Sequence, residues 1–126
     1  MNTYILEKHI MTLSQGYRIE VSRDYRVVVA RKFRLPPGWN RKSTDVLIEI
    51  PDSYPSAVPG RDSSIFIERG LRFHGRTPAD YREGWGNLTD WAWICYEALS
   101  WDPHRDNLYT LLEMLRADLT NPLTEE

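Results

Sequence analysis

The stretch Trp91-Ala92-Trp93-Ile94-Cys95-Tyr96-Glu97-Ala98-Leu99-Ser100-Trp101-Asp102-Pro103 holds three of the five tryptophans, the sole cysteine and a helix-opening signal. An aspartate side chain caps unsatisfied backbone N–H groups, and a proline at the first helical position has a preset φ and no donor to waste. Asp102-Pro103 therefore predicts a helix that starts just after the cysteine loop. Leu108, Leu111, Leu112, Leu115 and Leu119 follow at i, i+3, i+4, i+7 and i+11, which places them on one apolar stripe. Such a stripe needs a sheet or a second helix to cover it.

Upstream, Thr3 is placed to cap a helix over residues 4–14, with Leu6, Ile10 and Leu13 on one face and Gly16 where a left-handed C-terminal residue is wanted. The period then changes to two. Tyr17, Ile19 and Val21 alternate with polar residues, and after the Arg23-Asp24 turn Tyr25, Val27, Val29 and Phe33 continue the alternation with Arg26 and Lys32 outward. Two prolines and a glycine in Leu35-Pro36-Pro37-Gly38-Trp39-Asn40 make that stretch a connection. Residues 44–50 form the third strand, with Val46, Ile48 and Ile50 on one face, and residues 64–68 a short fourth. The loop between them carries Pro51, Pro55 and Pro59 around Tyr54 and is stiff by composition. From Gly70 to Trp93 no period holds, and an irregular segment of that length inside a compact domain is a functional candidate. The expected fold is α+β: an N-terminal helix, a four-stranded antiparallel meander, an irregular active-site segment and a C-terminal helix packed on the sheet.

A chain of 126 residues with 41% apolar content suits one folded domain, 1–126, with a single core. No run approaches the roughly 18 apolar residues of a membrane span, and no signal-peptide pattern is present, so a cytoplasmic protein without a membrane partner is expected. One cysteine excludes an internal disulfide and any multi-cysteine metal site, and His9, His74 and His104 show no metal-ligand spacing. Neither metal nor cofactor is expected. Residues 1–60 carry 9 Lys+Arg against 6 Asp+Glu, and residues 61–126 carry 7 against 12. The weakly basic first half is no nucleic-acid signature; it reads as a solvated sheet face, with an acidic macromolecular partner as the lesser reading.

Several features together resemble ubiquitin-conjugating enzymes. They are the order of elements, the strand-to-proline run Ile48-Glu49-Ile50-Pro51-Asp52-Ser53-Tyr54-Pro55 with Pro59 after it, the later Ile94-Cys95, and Trp101-Asp102-Pro103 before the leucine stripe. The closing Leu119-Thr120-Asn121-Pro122-Leu123 resembles the turn after the family's second helix. The similarity is greatest to the compact bacterial members, encoded beside a ubiquitin-like protein, an activating enzyme and a deconjugating metalloprotease in systems implicated in antiphage defence.

The resemblance implies that Cys95 accepts a ubiquitin-like C-terminus as a thioester from the activating enzyme and passes it to an amine, on a protein acceptor among others. It also implies a donor for the oxyanion formed on amine attack. The family's His-Pro-Asn is represented by His74-Gly75-Arg76, which keeps the histidine and lacks the asparagine, and Asn87 is the stand-in from the irregular segment. The catalytic candidates are thus Cys95, His74 and Asn87. For the acidic residue that helps deprotonate the incoming lysine, Asn121 or Thr124 falls closest, with Glu125 further on. Each has a plainer reading: the cysteine as a buried small hydrophobe, His74 as a polar residue near a strand end, Asn87 as a turn residue, and Trp91, Trp93 and Trp101 as core packing. The alternative function is an inert domain of the same fold that binds a ubiquitin-like protein or an activating enzyme as an adaptor. A weaker one is a small structural domain whose leucine-striped helix docks in a larger complex.

Overall fold

The computed structural model describes residues 3–84, 86–95 and 100–122. The elements run α1 (Thr3–Ser14), β1 (Ile19–Val21), β2 (Val27–Arg34), β3 (Ser43–Glu49), β4 (Ile65–Glu68), β5 (Tyr81–Glu83), β6 (Trp91–Ile94) and α2 (Leu108–Asp118). All six strands join one antiparallel sheet in the order β1-β2-β3-β4-β6-β5. The fold is α+β as expected, but the sheet has six strands rather than four. The two extra strands, of three and four residues, lie in the segment read as irregular. Strands that short complete barely two alternations, so no period betrays them.

The leucine stripe closes the core. Leu108, Leu111, Leu112 and Leu115 are buried, and Leu119 caps the helix end beside them. They pack in one cluster with Leu6 and Leu13 of α1 and with the inward residues of the sheet, Val46, Ile48, Ile65, Ile67, Ala92 and Ile94. The opposite sheet face carries its own apolar row, because the registers Val29↔Leu47, Leu47↔Phe66 and Phe66↔Trp93 set these side chains side by side. Phe66 is fully covered there and lies outside the main core. Trp91 and Trp93 alternate with buried Ala92 and Ile94 and are half-buried on that outer face, not in the core. Trp101 is half-buried against the core and donates its indole N–H to Pro55 O at 2.8 Å.

Four sequence readings change in the structure. In β2 the inward residues before the bulge are Val28 and Ala30, not Val27 and Val29. The run Val27-Val28-Val29-Ala30 is apolar in both parities, so alternation alone does not choose between them. A bulge between Ala30 and Phe33, with Arg31 and Lys32 on β2 opposing Asp45 alone on β3, then shifts the parity and turns Phe33 inward. Asp102-Pro103 opens a single turn rather than the helix: Asp102 Oδ1 accepts from the His104 N–H, and Arg105 and Asp106 N–H bond back to Asp102 O. The helix cap is Asn107, whose side chain accepts from the Thr110 N–H at 3.0 Å while Thr110 Oγ1 accepts from the Asn107 N–H at 2.8 Å, a reciprocal capping box. Thr3 is already helical rather than the cap. Gly16 is not left-handed; a Cβ there would lie 2.7 Å from the exposed Tyr109 ring of α2, so any side chain at this position requires that ring to shift.

Among the described residues no helix is long and apolar enough to cross a membrane. If the stripe is the sheet's main cover, Leu112→Ala lowers unfolding free energy by about 2–5 kcal/mol in chemical denaturation. A loss of only a few tenths would mean that α2 does not depend on the sheet.

Candidate active site

Cys95 follows β6 directly, and its position is set by two neighbours of that strand. Ile94 pairs with Ile65 on one side and Tyr81 on the other, and the Cys95 N–H donates to Asp80 O at 2.9 Å. The residue is exposed and forms no disulfide. It opens on a pocket of about 260 Å³ between the sheet edge and the end of α2. Trp39, Ile67 and Leu115 form its apolar floor, and Pro78 to Tyr81 and Leu119 to Pro122 frame its mouth.

Two hydrogen bonds hold that frame. The Trp39 indole N–H donates to Leu119 O at 3.0 Å, and the Ala79 N–H donates to Pro122 O at 2.8 Å. Both acceptors belong to the backbone just past the helix, where carbonyls have no intrahelical partner. The end of α2 is thus fastened to two separate loops, which keeps Asp118 and Asn121 on the pocket that holds Cys95. Partial burial raises the Asp118 carboxyl pKa from its ordinary value. Among the described residues the charged side chains on the lining are two carboxylates, Asp80 and Asp118, with no lysine, arginine or histidine.

β5 is fixed by a polar cluster at the far end of the sheet. Glu83 accepts from the Gly70 N–H at 2.9 Å, the Tyr81 hydroxyl at 2.8 Å and Arg72 Nη1 at 3.0 Å. These bonds to the charged form hold its pKa at about 2. Tyr81 in turn accepts from the Leu71 N–H and lines the Cys95 pocket, so the cluster connects Glu83 to the site wall.

The other two catalytic candidates lie elsewhere. His74 is exposed and is absent from the lining of the Cys95 pocket. It occupies the first central position of a tight turn, with φ 50° followed by Gly75 at 76°, closed by reciprocal bonds between Phe73 and Arg76. Positive φ at both central positions is the geometry of a type I′ turn. The His74 N–H is tied to Gly38 O at 2.8 Å, and its ring meets Phe73 edge-on. Asn87 is exposed in a turn in which its carbonyl accepts from the Thr89 N–H, and it too is absent from that lining. Of the residues weighed for activating the amine, Asn121 lines the pocket, while Thr124 and Glu125 lie outside the described residues, as does Glu97. Asp118 was not singled out by sequence. The available signal was its place directly before Leu119, the last residue of the stripe.

Among the described residues, two helices on an antiparallel sheet, with an exposed cysteine after the strand next to its edge, fit the ubiquitin-conjugating-like arrangement that the sequence resemblance implied. Residues 7–121 match Prokaryotic E2 family E, and the chain belongs to that family. No curated protein and no solved structure matches the chain.

Glu83 supplies a pH test of the site wall. Its folded pKa lies below its ordinary value, so its stabilisation is complete above about pH 4.5 and disappears as pH falls through about 2. Glu83→Gln is expected to cost about 1–3 kcal/mol at neutral pH, with the difference from wild type shrinking as the medium is acidified. Denaturation curves across that range check it; a pH-independent difference would separate the loss from the charge.

Proposed function

We propose that the protein is a ubiquitin-like-protein conjugating enzyme of a bacterial conjugation system, with antiphage defence as its setting, and that Cys95 carries the modifier as a thioester. The observation that supports this most directly is the placement of the sole cysteine, exposed, on a pocket it shares with Asp118 and Asn121, in a chain of the prokaryotic E2 family. The partners of this reading are a ubiquitin-like protein, an activating enzyme and an amine-bearing acceptor.

The chemistry is two acyl transfers. The Cys95 sulfur attacks the thioester carbonyl carbon of the charged activating enzyme, forms a new C–S bond and releases the enzyme's thiolate. An amine then attacks the same carbon, forms a C–N bond and expels Cys95 sulfur, while the amine's surplus proton leaves to a base. Asp118 suits that last role: the attacking nitrogen must shed a proton, and an exposed carboxyl whose pKa is raised by partial desolvation accepts one more readily than a fully solvated carboxylate. Asn121 offers a side-chain amide for the oxyanion from the same pocket. Asp80 and Asp118 with no cation beside them also favour a positively charged acceptor, such as a lysine side chain.

The adaptor reading draws on a different observation. Among the described residues no imidazole lines the pocket, and the histidine matched to the family's tripeptide sits in a turn. A single experiment separates the two. Purified protein is incubated with ATP, an activating enzyme and its ubiquitin-like protein, then run on reducing and non-reducing gels. A thiol-sensitive larger band that is lost in Cys95→Ser, and a thiol-resistant one in Cys95→Lys, is the expected result. No band, with the ubiquitin-like protein still bound, would establish the adaptor instead.

Asp118→Asn is expected to leave charging of Cys95 intact and slow discharge to free lysine by about 10- to 100-fold, read in single-turnover chases. Equal losses in charging and discharge would assign Asp118 a structural role only.

A further inference from the structure

Six of the nine basic residues in positions 1–60 line a groove beside α2, and that groove shares only Trp39 with the lining of the Cys95 pocket. Two adjoining hollows, of about 460 and about 760 Å³, share Arg34 and Arg116 as their common rim. Between them they are lined by seven cationic side chains and a single carboxylate, Glu113, in a protein whose net charge is −2.

Three of the cations are already paired: Arg31 with Glu20 and Asp45, Arg41 with Glu68, and Arg116 with Glu113. Arg18, Lys32, Arg34 and Lys42 are exposed and make no ion pair with any described residue. Unneutralised like charges held around one concavity repel one another, and an anionic occupant removes that repulsion.

The backbone is bent to produce this arrangement. With Val28 and Ala30 inward, an unbroken strand would send Lys32 into the core. The bulge instead places Lys32 at φ 56°, a conformation unfavourable for a non-glycine residue, and puts Arg31, Lys32 and Arg34 on the groove while Phe33 turns inward. Asp45 holds the bulge by accepting from the Lys32 N–H at 3.1 Å and from Arg31 Nη1 at 2.7 Å. The second hollow has a different wall, the apolar Leu35-Pro36-Pro37 run with Trp39 beneath it.

We propose that this groove binds an acidic polypeptide segment of a partner protein, its carboxylates on Arg18, Lys32, Arg34 and Lys42 and its apolar side chains on the Leu35–Pro37 wall. A protein segment fits better than nucleic acid, and the apolar wall decides it. Trp39 in the second hollow is buried with its N–H committed to Leu119 and its ring against Phe73, so no base stacks on it, while the first hollow carries Tyr17, bonded to Arg116, and the exposed ring of Tyr109. The apolar wall matches side chains of a peptide and has no counterpart in a phosphate backbone. The surface is separate from Cys95, and the proposal holds whether or not Cys95 carries a thioester.

The test is fluorescence anisotropy on the full chain with a labelled peptide of alternating glutamate and leucine. A lysine-for-glutamate version of the peptide and a single-stranded oligodeoxynucleotide of matched charge are the controls. The acidic peptide should bind at low salt, weaken as salt rises, and lose about tenfold or more in affinity in Lys32→Glu/Arg34→Glu, with Arg23→Glu/Arg105→Glu unaffected. Arg18→Glu/Lys42→Glu repeats the measurement on side chains outside the bulge and decides the matter if the first pair fails to fold. No binding, binding indifferent to the groove variants, or tighter binding of the oligonucleotide would overturn the proposal.

Discussion

The indole of Trp39 is the point on which both surfaces of this protein depend. It is buried at 9% exposure, rests edge-on against Phe73, and gives its single donor to the carbonyl of Leu119 just past the end of α2. A helix end leaves carbonyls without partners, and a buried indole N–H without an acceptor costs about 1–3 kcal/mol, so one bond resolves two deficits. The same ring lines the Cys95 pocket on one side and the basic groove on the other. The wall between an acidic cleft and a basic one is therefore a single side chain and the helix terminus it holds.

Much of the architecture was legible because it is written in long periodic segments. Five leucines at helical spacing specify α2, and Val46, Ile48 and Ile50 specify the inward face of the third strand; all are buried as their spacing requires. The illegible parts are those that tertiary context decides. β5 and β6 are too short to carry a period, and they are strands because the edge of β4 offers β6 a ladder and β6 offers β5 one. The parity of β2 turns on a bulge that Asp45, on the neighbouring strand, stabilises. Asp102-Pro103 and Asn107 are equally good openings by local chemistry, and the choice falls to Asn107, where the Thr110 hydroxyl answers the cap and the leucine stripe begins at the next residue.

The site divides in the same way. Cys95 was legible through its place after a short apolar run and before the leucine stripe. The residues that share its pocket are less legible: His74 rests on a match to the family's tripeptide and Asn87 on its place in the irregular segment, and neither lines the pocket, the type I′ turn tying His74 to Gly38. Asp118 is 23 positions beyond Cys95 and reaches the pocket because α2 runs back across the sheet toward the strand end that carries the cysteine. That is a property of helix length, not of any local motif: eleven residues at about 1.5 Å each bring the end of α2 level with the sheet edge.

The electrostatics of the pocket then bear on how such a site could work. Nucleophilic cysteines that must attack an unactivated carbonyl are surrounded by cations or a helix N-terminus, which stabilise the thiolate. The described lining here holds Asp80, Asp118 and the C-terminal, electronegative end of α2. Such surroundings suit a cysteine that receives its acyl group by exchange from another thioester, where the carbonyl is already activated. They also suit the second step, in which an ammonium must be drawn in and lose one proton before it attacks and a second as the C–N bond forms. On the proposed reading the negative field would serve the acceptor more than the nucleophile, and the basic groove would let the same small domain meet partners of opposite charge on opposite sides of Trp39.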